Sequence, residues 1–443
     1  MTARKIVISM CAVALVAAFV LWSVSKGDVS GSLAEVSPGV EMESHRVGEF
    51  VVLFSDGSDG TSLSIAHRSR PERVLWQSVP GRSFVSAGRG EETVSNSRGH
   101  FTIEDETLES LPDQSIESIE DMGDELVISG GLSNGGEEET NYSFALSPAS
   151  DGRLRFVAEV EEPFNRVYLT YATSPEERFF GFGTQYTYFD LKGRKVPIFI
   201  QEQGIGRGAQ PVTLGANLQA GAGGSWHSTY AAVPHYITSK SRSLFLENHE
   251  YSSFDLRDED EIHIEVFSSE MTGQILAADT PAGLIEEYTE YSGRMRPLPD
   301  WLLSGAVVGM QGGTGRVREV REELEMLDAP ISAFWLQDWV GRRQTSFGSQ
   351  LWWNWELDTS RYPGWNELVA DLEDDGMRVM MYISPMLADA AEKPGVRRNL
   401  FEEAKERGYL VEDESGEPYM MRQTDFSAAM VDLTNPEARE WMK

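Results

Sequence analysis

The first half of the chain, from Glu49 to about Ser269, consists of short runs in which apolar and polar residues alternate. The segment Glu261–Val266 alternates strictly, and apolar or alternating runs also occur at 50–54, 154–160 and 167–171. Because a strand places successive side chains on opposite faces, these runs predict many short strands in an antiparallel β-sandwich. The acidic, Gly-rich stretch 105–139 is predicted to form surface loops between edge strands.

After Pro297-Leu298-Pro299, which marks a predicted domain boundary, the hydrophobic period changes. Apolar runs at 306–310, 331–336 and 379–383 predict strands, the first of them buried, and helical stripes separate the runs. This alternation of strand and helix is typical of a parallel α/β arrangement such as a barrel. We therefore predict a β-sandwich domain with a connecting helix over residues 49–296 and a barrel domain over residues 297–443.

The N-terminus has the pattern of an export signal. Arg4 and Lys5 precede an apolar run of 19 residues from Ile6 to Val24, which is just long enough to cross a bilayer. No clear small-x-small cleavage site follows. We therefore favour a retained signal anchor over a cleaved signal peptide for residues 1–26. Residues 27–48 are predicted to be a linker. The basic residues place the rest of the chain outside the cytoplasm, membrane-anchored or, if the segment is cleaved, periplasmic or secreted.

The charge of the chain excludes several classes of partner. Its 71 acidic and 38 basic side chains give a net charge of −33, which argues against nucleic-acid binding. The only cysteine, Cys11, lies in the apolar N-terminal run, and the 7 histidines show no metal-binding spacing. The glycines at 312–315 lack the spacing of a phosphate-binding loop. We therefore expect no metal, organic cofactor or nucleic acid, while the oligomeric state stays open.

A cluster of aromatic and polar residues predicts a ligand pocket in the second half of the chain. Five tryptophans lie within 21 residues, interleaved with Asp, Arg, Gln and Asn: Trp335, Trp339, Trp352, Trp353 and Trp355. Aromatic faces mixed with planar hydrogen-bonding groups suit a sugar, which has apolar ring faces and hydroxyl edges. For any single tryptophan, a place in the core is an equally good interpretation.

The candidate binding residues follow predicted strand ends, where barrel folds bind their ligands. They are Gln311, Gln337, Asp338, Gln350 and Trp353. Each has a structural alternative, because buried glutamines bond the backbone, an aspartate caps a helix and a tryptophan fills a core. Further candidates for the pocket rim are Gln203, Arg207 and Arg342, although the first two could equally form a structural turn.

Several blocks of this sequence resemble glycoside hydrolase family 31, the α-glucosidase family, and are most similar to its sulfoquinovosidase branch. The blocks keep their order and spacing over roughly residues 45–443: Gly181-Phe182-Gly183, Tyr188 to Arg194, Gln201 to Arg207, Leu298-Pro299-Asp300-Trp301, Gln311-Gly312-Gly313, Gln337-Asp338-Trp339 with Thr345-Ser346-Phe347-Gly348, and Val431 to Pro436. The resemblance implies a galactose-mutarotase-like sandwich followed by a (β/α)8 barrel.

The resemblance also implies an activity, that of a retaining α-glycosidase acting on small-molecule α-glucosides. One Asp attacks the anomeric carbon while another, about 5 Å away, donates and then accepts a proton. Sulfonate recognition would fall to Gln311, Gln337, Trp353 and an Arg whose place Gln350 takes in this chain. Because Gln offers only neutral donors, a neutral α-glucoside is an open alternative, unless Arg342 or Arg343 supplies the missing charge.

The length of the barrel region leads to a last expectation. From Trp301 to Lys443 the chain has 143 residues, whereas an eight-stranded barrel takes about 250 residues. We therefore expect the first half of a barrel, with the nucleophile and the acid/base beyond Lys443 and no catalytic residue in the chain itself. Such a chain would fold poorly in its last third and would be inactive alone. The alternative function is that of a non-catalytic sugar-binding protein.

Overall fold

The computed structural model describes residues 32–36, 44–97, 99–136, 139–184, 187–346, 348–423 and 425–443. The predicted signal or anchor segment 1–26, with Cys11, lies outside these residues, as does most of the predicted linker 27–48. No helix in the described ranges has the length and apolar character to cross a bilayer. The chain divides into two compact units, the first built from residues up to 94, 103–213 and 223–293, the second from 95–102, 214–222 and 294–443.

The first unit is built mainly from antiparallel strands. In chain order they are β1 (Leu33–Val36), β2 (Ser44–Val47), β3 (Phe50–Gly57), β4 (Gly60–His67), β5 (Arg70–Gln77), β6 (Val85–Ser97), β7 (His100–Leu111), β8 (Asp113–Ile116), β9 (Ser118–Asp121), β10 (Leu126–Ser133), β11 (Thr140–Ser150), β12 (Arg153–Val160), β13 (Arg166–Ala172), β14 (Phe179–Gly183), β15 (Lys195–Ile198), β16 (Ala232–Thr238), β17 (Ser243–Leu246), β18 (Ser252–Asp255), β19 (Glu261–Val266) and β20 (Glu270–Leu276).

These strands form three sheets. The largest runs in the order β1-β8-β10-β11-β12-β20-β17-β16-β14 with β9 beside β10, the second β15-β18-β19-β13-β6-β7, and the third β2-β3-β4-β5. In the large sheet only β1 and β8 pair in parallel; this statement concerns the described strands. The N-terminal unit is thus rich in antiparallel sheet, as the sequence predicts.

The alternating residues of the strands form the core of this unit. Ile262, Ile264 and Val266 of β19 are fully buried, as their spacing predicts. The two larger sheets meet face to face through aromatic rings, since Phe182 of β14 and Phe254 of β18 have ring centroids 5.0 Å apart. Each fully buried ring of this kind contributes roughly 1.5–3 kcal/mol. The two sheets therefore share one apolar core.

The prediction of surface loops over residues 105–139 is wrong, because β7 continues to Leu111 and β10 is an interior strand between β8 and β11. Leu126 and Ile128 of β10 are fully buried, whereas the acids of β7 occupy its exposed positions. At Gly130, a Cβ would lie 2.1 Å from the carbonyl oxygen of Ser115, so the close packing of strands requires glycine there.

Part of the predicted linker also belongs to a sheet. Residues 44–47 form β2, which pairs antiparallel with β3, and residues 33–36 form β1, which pairs with β8. Val47 is 1% exposed and joins the core. These residues are ordered by backbone pairing, a contribution that a composition of Gly, Ser, Glu and Val does not reveal.

Two helices accompany the strands: α1 (Pro211–Ala220), which begins in the first unit and ends in the second, and α2 (Pro281–Ser292). Helix α2 is the predicted connecting helix at the end of the first domain. The side chain of Thr280 caps the helix by accepting a hydrogen bond from the backbone N–H of Gly283, and a proline occupies the first turn. Leu284 is fully buried against Phe245 and Leu276.

The second unit alternates strands and helices. After a short 3-10 turn (Asp300–Leu303) come β21 (Ala306–Met310), α3 (Thr314–Met326), β22 (Ile331–Leu336), β23 (Arg342–Thr345), β24 (Gly348–Leu351), α4 (Trp365–Asp374), β25 (Arg378–Met381), β26 (Met386–Leu387), α5 (Leu400–Glu406), β27 (Met421–Arg422), β28 (Ser427–Met430) and α6 (Pro436–Met442). Strands β21, β22 and β25 form a parallel sheet, β23 and β24 a hairpin, and β26, β28 and β27 a small antiparallel sheet.

The parallel sheet places the ends of its strands at one edge. Met310, Leu336 and Met381 are register partners at the carboxyl ends of β21, β22 and β25. The central strand β22 is buried, with Phe334 and Leu336 fully inaccessible. The prediction that 306–310 is a buried strand is wrong in one respect, because Val307 is 37% exposed. Among the described strands β21 pairs only with β22, and an apolar run does not distinguish such an edge strand from a central one.

Candidate functional site

Gln311 and Gln337 meet at the carboxyl edge of the parallel sheet. They directly follow β21 and β22, and Nε2 of Gln311 donates a hydrogen bond to Oε1 of Gln337 over 3.0 Å. The backbone N–H of Gln337 donates to the carbonyl of Met310 at 3.2 Å, which fixes the relative height of the two strand ends. Gln311 is exposed and Gln337 half-buried. Since each amide carries two N–H donors and one carbonyl acceptor, the pair retains donors for a ligand at this edge.

Asp338 directly follows Gln337 and is fully buried. One of its oxygens accepts hydrogen bonds from the backbone N–H of Gly312 at 3.0 Å and from Nε of Arg361. The other accepts from the hydroxyl of Tyr362 at 2.6 Å. A carboxylate has about four lone-pair sites, and protein donors occupy three of them here. The geometry therefore favours a positioning role for Asp338 over direct contact with sugar hydroxyls, and over the helix cap that the sequence left as its alternative.

The sequence analysis missed Arg361 and Tyr362, whose side chains compensate the burial of the Asp338 carboxylate. Arg361 forms an ion pair with it. Burial raises the pKa of the Tyr362 hydroxyl, and its hydrogen bond to Asp338 raises the pKa further, so the phenol stays a donor at all physiological pH values. No local spacing links Asp338 to residues more than twenty positions later, and sequence patterns gave no signal for this contact.

Two glycines allow the loop after β21 to reach this network. Gly312 and Gly313 have φ angles of +132° and +85°, which favour glycine. A Cβ at Gly313 would lie 2.3 Å from the carbonyl oxygen of Arg361. The loop can therefore pack directly against the 361–362 segment, and this contact brings the N–H of Gly312 to Asp338 and fixes Gln311.

The hairpin β23–β24 carries the remaining candidates. Arg343 and Gln350 are directly opposite each other in its register, so their side chains lie on the same face of the hairpin. Arg342 is exposed and donates from Nη2 to the carbonyl of Ser349 at 2.9 Å, a contact within the hairpin. Gln350 is half-buried. Phe347 lies outside the described residues.

The tryptophan cluster separates into two groups. Trp339 and Trp355 belong to the core of the second unit, and their indole N–H groups donate to the carbonyls of Tyr382 at 2.7 Å and Met386 at 2.9 Å. For these two the core interpretation is correct. Trp335, Trp352 and Trp353 are half-buried, so part of each side chain remains accessible, although Trp353 also packs against the core.

Arg343 is held between two aromatic rings. Its guanidinium carbon lies 4.1 Å from the ring centroid of Trp352 and 3.9 Å from that of Phe426. Phe426 also contacts Trp353 edge to face, with ring centroids 5.1 Å apart. Burial lowers the pKa of Arg343 to about 10. Its Nε and Nη2 atoms are buried and have no hydrogen-bond partner within the described part of the chain.

Gln203 and Arg207 belong to the first unit, where their described contacts are local. Nη1 of Arg207 donates to the carbonyls of Ser225 at 3.1 Å and Ser228, and Nη2 donates to Oε1 of Gln203 at 3.1 Å. Bonds from one guanidinium to several loop carbonyls hold a turn together. These contacts correspond to the structural alternative for the two residues.

The comparisons with known proteins agree with this arrangement. Residues 298–443 match the model of the glycosyl hydrolases family 31 TIM-barrel domain. The sulfoquinovosidase of Agrobacterium fabrum is 30% identical over 389 residues, which are 88% of this chain and 55% of that protein. The sulfoquinovosidase of Escherichia coli K12 is 31% identical over 400 residues, with the same shares of both chains. Residues 298–443 belong to the family 31 TIM-barrel domain.

Solved structures support the assignment to family 31. A family 31 sulfoquinovosidase from E. rectale, solved with an aza-sugar inhibitor, superposes with a TM-score of 0.75 and 27% identity over 90% of this chain and 56% of that one. A Flavobacterium johnsoniae family 31 dextranase shares the fold, with a TM-score of 0.53 at 16% identity, over 90% of this chain and 44% of that one. The chain thus spans about half the length of the curated relatives it matches.

Proposed function

We propose that this chain provides the sugar-binding site of a retaining α-glycoside hydrolase that acts on small α-glucoside-type substrates, in the manner of a sulfoquinovosidase. One observation carries the proposal. Gln311 and Gln337 are joined side by side at the carboxyl edge of a parallel sheet, where barrel enzymes bind their ligands. The first half of a (β/α)8 barrel, preceded by a galactose-mutarotase-like sandwich, is the architecture that we propose for the two units.

The residues of the site act by binding and orienting the sugar. The free amide donors of Gln311 and Gln337 face hydroxyl or other oxygen groups, and the half-buried ring of Trp353 offers an apolar surface. A neutral hydrogen bond of this kind contributes about 0.5–1.5 kcal/mol. Asp338 contributes indirectly, because it holds Gly312 and with it Gln311 in place.

Retaining hydrolysis requires two carboxylates about 5 Å apart, one that attacks the anomeric carbon and one that protonates the leaving oxygen. We assign neither role to a residue of this chain. Asp338 is unsuited to both, because its two oxygens accept hydrogen bonds from Gly312, Arg361 and Tyr362. These three hydrogen bonds are also the observation that favours the second candidate function, a sugar-binding protein without hydrolytic activity.

The test compares binding with turnover. Calorimetry measures the affinity of the purified protein for methyl α-glucosides, and release of 4-nitrophenol from the matching aryl glycosides measures hydrolysis. We expect Gln311→Ala to weaken binding about tenfold through the loss of a hydrogen bond. The matched control is Gln344→Ala, because Gln344 is an exposed amide of the hairpin that bonds only the neighbouring Thr345 carbonyl among the described groups.

The outcomes separate the sugar site from the chemistry. Hydrolysis that depends on Gln311 supports the glycosidase. Binding that depends on Gln311, without release of nitrophenol, supports the sugar site alone, because it is the result expected of a sugar-binding protein and also of a glycosidase in which this chain supplies only binding residues. If no α-glucoside binds, or if the control variant weakens binding as much as Gln311→Ala does, the proposed site is wrong.

We also propose that the protein is exported, with the apolar segment 6–24 as a membrane anchor or signal peptide. The support is the pattern of basic residues followed by an apolar run in the sequence. Fractionation of cells that make the protein, with N-terminal sequencing of the mature form, separates the retained anchor from the cleaved peptide. Protein found intact in the cytoplasm would contradict the proposal.

A further inference from the structure

We propose that Lys393 is a positioning residue for sugar binding. Its ammonium joins the segment after β22 to the segment after β24, and so fixes Trp353 relative to Gln337 and Asp338. The inference rests on the proposed function, since it takes these residues as parts of the sugar site or its support. It goes beyond that function by naming a buried side chain that shapes the site through its neighbours.

The ammonium of Lys393 lies between the two ends of the β23–β24 hairpin. Its Nζ donates a hydrogen bond to the carbonyl of Val340 at 2.9 Å and another to Oδ1 of Asn354 at 3.2 Å. Val340 precedes β23 and Asn354 follows β24. All three residues are buried. Because an ammonium carries three donors, one side chain can connect the two segments that the hairpin separates.

Each of these segments contains a residue of the candidate site. On one side, Val340 lies two residues after Asp338, the buried carboxylate that holds the loop after β21. On the other side, Asn354 directly follows Trp353. Peptide groups are planar and nearly rigid, so a displaced peptide moves the residues next to it. The distance between Trp353 and the strand end at Asp338 therefore depends on the bridge through Lys393.

The segment that carries Lys393 is attached to the chain after β24 on both sides of the lysine. Before it, the backbone N–H of Ala388 donates to the carbonyl of Trp353 at 2.9 Å. After it, Nε of Arg397 donates to Oε1 of Glu356 at 2.9 Å. These contacts hold the backbone around Lys393, so that its ammonium is a fixed point to which Val340 is tied.

The cost of burying this charge indicates a role beyond filling the core. Lys393 is 6% exposed, and no carboxylate in the described ranges forms an ion pair with its Nζ. Burial lowers the pKa of Lys393, whereas the more distant charges of Asp358 and Glu356 raise it. An apolar side chain would fill the same space without the desolvation of a cation. What the ammonium adds is a pair of directed hydrogen bonds to two separate segments.

The experiment combines calorimetry with methyl α-glucoside and hydrogen exchange followed by mass spectrometry. Lys393→Met keeps an apolar stem but removes the ammonium. We expect it to bind the glucoside about tenfold more weakly, with faster exchange confined to the hairpin and its two ends. The matched control is Lys405→Met, since Lys405 is an exposed lysine of the same unit that pairs with Glu417 at 3.1 Å. The control should change neither quantity.

Two variants at Asn354 separate positioning from a merely structural effect, and they serve also if Lys393→Met does not fold. Only Oδ1 of Asn354 is used here, because its Nδ2 is buried without a partner among the described residues. Asn354→Asp keeps this acceptor and should retain most of the affinity, whereas Asn354→Leu removes it and should bind weakly. In the Lys393→Met protein, Asn354→Leu should add little further loss, because the bridge is already broken.

The outcomes distinguish this inference from the proposed function. The inference is wrong, and the sugar site stands, if folded Lys393→Met binds the glucoside as tightly as wild type or exchanges faster throughout the second unit. Equal affinities of Asn354→Asp and Asn354→Leu would overturn it as well. If the wild type binds no α-glucoside, the proposed function fails and exchange alone decides. Faster exchange confined to the hairpin and its ends then supports the bridge, and any other pattern refutes it.

Discussion

The two units differ in how they compensate the charge of an arginine that is withdrawn from solvent, Arg242 in the first unit and Arg343 in the second. In the β-sandwich, Arg242 is 8% exposed and is paired with the fully buried Glu177. Its Nε donates to Oε1 of Glu177 at 2.8 Å, its Nη2 donates to Oε2, and its Nη1 donates to the carbonyl of Ala172 at 3.0 Å. Burial alone would lower the pKa of Arg242, but the hydrogen bonds and charge of Glu177 raise it.

In the second unit, Arg343 has two aromatic rings and no acid as described neighbours within bonding distance, and burial lowers its pKa to about 10. The difference lies in how the positive charge is compensated. Arg242 is supplied with its own carboxylate, whereas Arg343 is stabilised only by aromatic faces among its described neighbours and keeps the cost of its desolvation. The comparison makes predictions about stability that need no substrate.

The largest effect is expected for the paired arginine. Glu177→Gln would leave the charge of Arg242 buried without a counter-ion, and should reduce the free energy of unfolding of the sandwich by about 3–5 kcal/mol. Urea titration with a probe in the first unit measures it. The control is Glu403→Gln, which breaks the exposed ion pair with Arg398 (2.6 Å) in the second unit, and such pairs contribute about 0–1 kcal/mol. Equal losses of unfolding free energy in the two variants would contradict the larger role that we assign to the buried ion pair.

A smaller effect is expected from His235, where the sandwich keeps a buried base neutral. Its ring stacks on Tyr288 at 4.1 Å, and burial lowers its pKa from 6.5 to about 4. The unfolded state binds the proton at about pH 6.5, whereas the folded state binds it only near pH 4. The free energy of unfolding is therefore highest above pH 6.5 and falls as the pH drops from 6.5 to 4. The expected loss is about 2 kcal/mol, allowing for partial exposure of the ring.

The measurement for His235 is the unfolding free energy of wild type and His235→Asn at pH 7 and pH 4. The wild type should lose more stability on acidification than the variant, by the amount that His235 contributes. If both proteins lose the same amount, His235 is protonated in the folded state and the sandwich does tolerate an unpaired cation there.

The smallest effect is expected for the unpaired arginine. Arg343→Met keeps the length of an apolar stem between Trp352 and Phe426 but removes an uncompensated charge. The lost cation–π contact and the relieved desolvation oppose each other, so stability should change by less than about 1 kcal/mol. Arg242→Met is the matched variant, and it should be strongly destabilised because Glu177 remains buried and unpaired. A large loss from Arg343→Met would mean that the guanidinium serves the fold.

The sequence predicts the elements of this fold better than their pairing. Strand β19 was predictable because Ile262, Ile264 and Val266 alternate with polar residues and fill the core. Strands β7 to β10 were not predictable, because many acidic residues at exposed positions are also typical of surface loops. The burial of Leu126 depends in addition on pairing with residues that lie further along the chain. An apolar run at 306–310 predicts a strand but not its place at the edge of the described sheet.

The same limit applies to the site. Gln311 and Gln337 were predictable as neighbours because both follow strands of one parallel sheet, and such strands end at a common edge. The partners of Asp338 were not predictable, since Arg361 and Tyr362 reach it only through a loop conformation that two glycines permit. Phe426 packs against the guanidinium of Arg343 but lies far from it in the sequence. No sequence pattern predicts this contact.

The hairpin of β23 and β24 pairs with itself, and neither strand belongs to the parallel sheet. Substitutions in this hairpin therefore do not remove backbone hydrogen bonds of the parallel sheet. Positions 343 and 350 face one another, so a cation lost from one can be regained at the other with little displacement of the charge. The hairpin is thus a place where side chains can be exchanged while the hydrogen bonds of the parallel sheet stay as they are.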